Sequence, residues 1–178
     1  LHLPIQSGSN KILKAMNRNY TIEEYLKIIN KVKKCKKDIV FSSDFIVGYP
    51  GETRKDFQKT LDLIDKVKFV QSFSFIYSPR PGTTAYNLKD NLGKDEKKER
   101  LSILQSKLRF YQENFNKNFI KKSLKVLFDN SLNEKKFQSL GYSQYMQLVR
   151  INNKRDMQGK LMSIKIKRSF YKSLEANI

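Results

Sequence analysis

The spacing of apolar residues changes character along the chain. Ile22, Leu26, Ile29 and Val32 recur at three- and four-residue intervals, which predicts a helix with one buried face. Thr21 and Glu24 stand three apart at its start and form a capping box, and the helix runs out in residues 33–37. Residues 39–47 are β-branched and aromatic and predict a strand, broken by Gly48-Tyr49-Pro50-Gly51-Glu52. Thr53 then caps a helix with Phe57, Leu61 and Ile64 on one side. Residues 69–77 alternate Phe73, Phe75 and Tyr77 with Ser72, Ser74 and Ile76, the period of a strand. Ahead of all these, residues 1–5 read as the end of a strand. Gln6-Ser7-Gly8-Ser9 reads as the turn after it, and Ser9 as the cap of a short helix reaching Met16.

Strand, helix, strand, helix, strand implies parallel βαβ units with right-handed crossovers. Each strand is followed by a distinctive turn: residues 6–9, 48–52 and 78–83. Parallel strands deliver these turns to one face, the face that carries active sites in open and closed α/β sheets. Three strands do not close a barrel, so further strands upstream are expected to complete it.

Residues 94–117 predict a long helix striped by Leu101, Leu104, Leu108 and Tyr111. Beyond it the pattern shortens to apolar runs at 124–128, 137–142, 146–151, 161–166 and 170–174, separated by Asn, Lys and Gly turns. Five short strands at this spacing predict a small β-barrel. The expected fold class is α/β followed by a small all-β barrel, with domains at 1–111 and 112–178.

Charge adds a partner to this picture. The 178 residues carry 36 Lys and Arg against 17 Asp and Glu, a net charge of +19. From residue 112 onward there are 14 basic and 5 acidic side chains, so the β part holds the denser excess. Unpaired lysines stay at the surface, where they attract polyanions, and the Tyr and Phe among them favour nucleic acid. One cysteine, Cys35, and one histidine, His2, cannot build a disulfide, a thiolate cluster or a His-rich metal site within this chain. A lone thiol without a targeting signal points to the cytoplasm, and no apolar run reaches the length of a membrane span. The chain begins at Leu1 in mid-motif, so upstream sequence is expected.

Three words carry the candidate chemistry. In His2-Leu3-Pro4-Ile5-Gln6-Ser7-Gly8-Ser9, Gln6 and Ser7 stand where a strand delivers hydrogen-bonding side chains to the active face. In residues 43–53, Gly48 and Gly51 allow a ligand close to the backbone, and Ile46 and Val47 can flank a flat ring. This is not a phosphate loop, since the Gly-Lys-Ser/Thr ending is missing. In Tyr77-Ser78-Pro79-Arg80-Pro81-Gly82-Thr83, prolines hold Arg80 in place for a carboxylate or phosphate.

In this order the three words resemble the methylthiotransferase family of radical S-adenosylmethionine (SAM) enzymes. Leu13-Lys14-Ala15-Met16-Asn17-Arg18 and Tyr20-Thr21 add to the likeness. It runs the length of the chain and is tightest through residue 83. The Ser-Pro-Arg-Pro-Gly-Thr wording is closest to the branch acting on isopentenylated adenosine in tRNA. The sibling branch acting on threonylcarbamoyladenosine stays open. The resemblance implies the C-terminal half of a partial (β/α) radical-SAM barrel, followed by a TRAM domain, a small OB-like barrel that binds tRNA. It implies SAM and two [4Fe–4S] clusters in the full-length enzyme. It also implies conversion of N6-isopentenyladenosine at position 37, in the tRNA anticodon stem-loop, to its 2-methylthio derivative. Gln6, Ser7, Asp44, Ile46 and Gly48 match the positions that contact SAM. Arg80 is the candidate polar contact to substrate or SAM, and Arg150, Lys165, Lys167 and Arg168 are the candidate tRNA contacts.

The chain departs from the family pattern in several places. Cysteines for the clusters would lie upstream of Leu1, in N-terminal domains of the same protein, and Cys35 matches none of them. The chain alone is therefore expected to be inactive. Tyr142 and Ala176 stand where the family often has Arg and Gly. A stand-alone basic RNA-binding module is the alternative reading.

Overall fold

A computed structural model of the chain describes residues 1–90, 92–129, 138–152 and 156–176. They fall into two compact units, Leu1–Leu108 and Arg109–Ile178, and the whole is mixed α/β.

The first unit contains α1 (Asn10–Ala15), α2 (Ile22–Cys35), β1 (Asp44–Val47), α3 (Arg54–Val67), β2 (Phe73–Ile76) and a 3-10 turn at Thr84–Asn87. Helix α4 (Lys94–Lys117) begins in this unit. β1 and β2 pair in parallel, Asp44 opposite Phe73 through Val47 opposite Ile76. The opening segment runs parallel along the other side of β1 through single bridges, His2 with Ser42 and Gln6 with Phe45. Gln6 N–H donates to the Asp44 carbonyl at 2.9 Å, and Ile46 N–H to the Gln6 carbonyl at 2.9 Å.

The strands expected at 39–47 and 69–77 are shorter than their apolar patterns, and the one expected at 1–5 is reduced to single bridges. Residues 69–72 leave the ladder because Lys68 and Gln71 take φ of 59° and 51°, and Phe69 and Val70 tuck into the core instead. Parallel register puts Asp44, Ile46, Phe73 and Phe75 on one face of the sheet and Phe45 and Val47 on the other. The second face is the packed one. Phe45 meets Phe69 edge-on at 5.3 Å, and Phe69 in turn meets Tyr25 of α2 at 6.5 Å.

Thr21 forms the expected capping box with Glu24, and Thr53 forms one with Asp56. Ser9 precedes α1 as expected, but its hydroxyl does not cap that helix. It donates to Asp56 Oδ1 at 2.7 Å and so ties the first turn to the start of α3.

The second unit is a closed five-stranded barrel in the order β3-β4-β5-β7-β6. Its strands are β3 (Ser123–Leu127), β4 (Gln138–Ser143), β5 (Leu148–Asn152), β6 (Leu161–Ser169) and β7 (Ser173–Ala176). Period-two burial fills the interior with Leu124, Val126, Val149, Ile151, Ile164, Ile166 and Leu174, capped by Phe128. Closure gives every strand a neighbour on both sides, which removes the free edge strands of an open sheet.

The expected run at 170–174 resolves differently. β6 extends through Ser169, and Phe170 and Tyr171 form the hairpin turn, closed by Phe170 N–H to the Ser173 carbonyl at 2.8 Å. Met146, expected in a strand, sits at φ 61° in the turn before β5. Phe137, the expected start of β4, lies outside the described residues.

Candidate functional site

Because the three extended segments run parallel, the turns that follow them leave from the same end of the sheet. The first two are tied together through the helices that follow them, α1 and α3. Lys11 Nζ donates to the Gly51 carbonyl at 2.8 Å, and Tyr49 Oη to the Ala15 carbonyl at 2.7 Å. Gly8 N–H donates to Thr60 Oγ1 at 2.8 Å. A Cβ on Gly8 would lie 2.4 Å from the Lys59 carbonyl oxygen and 2.5 Å from Thr60 Cα, so only glycine lets the turn press on α3. The third turn leaves β2 beside the second, with Tyr77 N–H donating to the Val47 carbonyl at 2.8 Å. There the Tyr49 and Tyr77 rings meet edge-on at 4.9 Å.

A buried ion pair holds the second turn in shape. Glu52 Oε2 accepts from the Gly48 N–H at 2.9 Å and from Arg100 Nη1 at 2.6 Å, while Arg100 Nη2 also reaches Glu96 at 2.8 Å. Burial pushes the Glu52 carboxyl up, against the pull of the Gly48 N–H and the Arg100 guanidinium. Glu52 Oε1 and Tyr77 Oη are buried with no hydrogen-bond partner among the described residues.

Asp56 is the second anchor. Burial alone would raise its carboxyl, but hydrogen bonds from Thr53 and Ser9 and the charge of Lys11 hold it well below the ordinary carboxylate range.

The site residues expected from sequence occupy unlike positions. Gln6 is buried at φ 72°, a left-handed conformation that costs a non-glycine residue about 1 kcal/mol and marks a strained rim position. Ser7 points away from the open sheet face. It is fully buried, accepts from Ser9 N–H at 3.2 Å and lies 3.5 Å from Thr60 Oγ1, so it organises the turn.

Asp44 and Ile46 are half-buried on the open face, and His2 Nε2 lies 3.5 Å from Asp44 Oδ2. Gly48 has φ 71°, but the space a Cβ would need is taken by the Lys97 side chain, 2.7 Å away, and its N–H is spent on Glu52. Its glycine therefore serves α4, not a ligand's approach. Arg80 is exposed in the third turn, where its carbonyl accepts from Thr83 Oγ1 at 2.8 Å, and it makes no ion pair among the described residues.

Sequence reading passed over Arg100, Lys97 and Asp56. Their signal is weak because each lies far along the chain from the turn it braces, and helix periodicity does not name a charged partner.

In the barrel unit Lys165 and Lys167 project outward from β6 while Ile164 and Ile166 fill the core. Strict alternation would send Arg168 inward. A bulge between Ile166 and Arg168 turns it outward, where it lies 3.9 Å from Glu175. Arg150 is paired across the ladder with Glu175 and donates to Ser173 Oγ at 2.8 Å. The four cations thus form two groups, Arg150 and Arg168 flanking Glu175 on β7, and Lys165 and Lys167 along β6.

Residues 1–64 match the model of the Radical SAM superfamily, a superfamily whose chemistry implies SAM and an iron–sulfur cluster. Over nearly its whole length the chain is similar to curated proteins that share one name. It is 48% identical over 167 residues to a Wolbachia pipientis wMel protein named tRNA-2-methylthio-N(6)-dimethylallyladenosine synthase, a match covering 93% of this chain and 38% of that protein. It is 49% identical over 181 residues to the Rickettsia canadensis (strain McKiel) protein of the same name, covering 100% of this chain and 40% of the relative. The resemblance read from the three words is thus borne out across nearly the whole chain, which spans about two fifths of the length of these curated relatives.

Proposed function

We propose that this chain contributes to a radical-SAM tRNA methylthiotransferase the rim that holds the nucleoside end of SAM, together with a barrel that grips tRNA. Unit one is read as the C-terminal part of a (β/α) radical-SAM barrel, and unit two as a TRAM-type RNA-binding domain. The reaction proposed for the whole protein is conversion of N6-isopentenyladenosine at position 37, in the anticodon stem-loop, to its 2-methylthio derivative, in the cytoplasm. The printed names of the relatives favour this branch over the threonylcarbamoyl sibling.

The observation carrying the reading is the convergence of three turns at one end of a parallel sheet, beside an open face. On that face Ile46 offers an apolar flank for an adenine ring, and Asp44 an acceptor for a ribose hydroxyl or an ammonium group. The strained Gln6 brings an amide to the same rim. Ser7 and Gly48 act through the shape of their turns, and Arg80 stands free for a carboxylate or phosphate.

SAM therefore fits the residues present, and when bound it supplies the group-transfer and radical chemistry. The protein's part is to hold it and shield it. An iron–sulfur cluster does not fit this chain. Cys35 is its only cysteine and is exposed, and among the described residues no group of three His, Cys, Asp or Glu is placed to hold a metal. Two clusters are proposed only for the longer protein.

Saturation-transfer NMR of the chain with SAM tests the rim. Transfer to the adenine protons that is lost in Ile46→Asp and weakened in Asp44→Ala supports it; equal transfer in all three overturns it. Mobility shift with an anticodon stem-loop tests the grip, which Lys165→Ser/Lys167→Ser should weaken.

A further inference from the structure

The barrel unit contains a recess beside the β6–β7 turn. It has a volume of about 450 Å³ and lies between the β6–β7 turn, the outer faces of β4, β5 and β7, and Arg109 on α4. This size falls in the range of small-ligand pockets, roughly 300–1,000 Å³.

Its lining combines three chemistries. Phe170 and Tyr171, side by side in the turn, supply ring surface, and Phe170 is 50% exposed despite its size. The Arg109 guanidinium sits 5.2 Å from the centre of the Tyr171 ring, steadied by Glu113 at 2.7 Å, and Lys172 Nζ lies 5.8 Å from the same ring.

Gln138 Nε2 donates to Asn152 Oδ1 at 3.3 Å, which among the described residues leaves the Gln138 carbonyl oxygen and the Asn152 amide hydrogens for a ligand. Arg150 is bound to the neutral Ser173 hydroxyl and, among the described residues, has no carboxylate at ion-pair distance.

Glu175, also in the lining, lies nearer Arg168, at 3.9 Å. Ring surface, paired amides and a guanidinium with no carboxylate at ion-pair distance among the described residues are what one unstacked nucleotide requires. Its base needs a π-face, its edge needs a donor and an acceptor, and its phosphate needs a cation. A duplex presents stacked bases and cannot fill such a recess.

We infer that this recess captures a single flipped-out nucleotide of an RNA strand. The base lies against Phe170 and Tyr171, its edge meets Gln138 and Asn152, and its phosphate meets Arg150. The inference rests on the RNA-binding reading of this unit and adds single-strand selectivity to it. The turn residues left over when β7 proved to start at Ser173 are then the base platform.

Fluorescence anisotropy of the whole chain with labelled single-stranded hexaribonucleotides, and with a blunt RNA duplex, tests it. Tyr171→Leu should weaken single-strand binding at least about fivefold, the loss expected for one stacked base, and leave duplex binding unchanged. Arg150→Gln should reduce the slope of log affinity against log salt by about 0.7. Gln138→Leu/Asn152→Leu should flatten the differences among oligo(A), oligo(C) and oligo(U).

Should Tyr171→Leu lose its cooperative melt, photo-cross-linking of the unmodified chain to a 4-thiouridine strand decides instead. Cross-links at residues 170–172 support the recess, and cross-links confined to β3 and β6 overturn it. If Lys165→Ser/Lys167→Ser weakens binding while Tyr171→Leu and Phe170→Ser do not, the recess falls and the RNA surface stands. If the unmodified chain binds no RNA at low salt, both fall.

Discussion

At the scale of single residues the rim is held by contacts with little slack. Gly8→Ala puts a methyl group inside the backbone of α3, which no side-chain rearrangement relieves. The expected cost is about 1–3 kcal/mol, as for overpacked cores, read as a lower denaturant midpoint. Among the described residues Gly51→Ala meets no atom within 4 Å and bears only the strain of its positive φ, so it should cost less.

Arg100→Met strands the Glu52 carboxylate, which is buried. Breaking one side of such a pair costs about 3–5 kcal/mol, and Glu52→Gln added to Arg100→Met should recover part of it in a double-mutant cycle.

Asp56 has its own pH signature. Its folded carboxyl titrates below its unfolded value, so its stabilisation is complete above about pH 4 and is lost as pH falls toward the folded value. Acid titration of the melting temperature should therefore be steeper for the unmodified chain than for Asp56→Asn.

At the scale of elements, caps and periods were legible in the sequence and contacts were not. Thr21 with Glu24 announced α2 because a capping box needs only residues three apart. The barrel strands announced themselves by period-two apolar runs. What failed were the ends: residues 69–72 and 170–171 are apolar enough for strands, yet positive φ at Lys68 and Gln71 and the reversal at Phe170 remove them. Apolar character records burial or contact, and strand membership also needs a ladder partner.

In the candidate site, strand alternation puts Asp44 and Ile46 on one face, and it sends Val47, expected beside Ile46 against a flat ring, to the packed face, where it is fully buried. The strain at Gln6, the inward turn of Ser7 and the filling of Gly48 by Lys97 depend on tertiary contacts that no local pattern encodes. The two capping threonines test the same point. Thr53 Oγ1 both accepts from the Asp56 N–H and donates to the Asp56 carboxylate at 2.6 Å, whereas Thr21 Oγ1 accepts from the Glu24 N–H at 3.3 Å in an exposed setting. Thr53→Ala should cost at the upper end of the 0.5–2 kcal/mol range for lost caps, and Thr21→Ala at the lower end, by urea denaturation.

At the scale of the whole molecule two surface properties oppose one another. A net charge of +19 keeps copies of the chain apart. The open sheet face does the reverse: Phe73 is 60% exposed and Phe75 54% exposed, on a strand that pairs only with β1 among the described residues. Salt acts on these terms with opposite consequences. As ionic strength rises past about 0.1 M the Debye length falls to about 10 Å, so repulsion between copies fades while the apolar contact persists. The same screening weakens contacts between lysines and RNA phosphate. Light scattering should then find the chain increasingly associated between low and moderate salt, while anisotropy finds its RNA affinity falling over the same range. Phe73→Ser/Phe75→Ser should remove the first trend and leave the second. If the double variant associates as the unmodified chain does, the exposed phenylalanines are not the contact, and the charge-screened contact lies elsewhere on the surface.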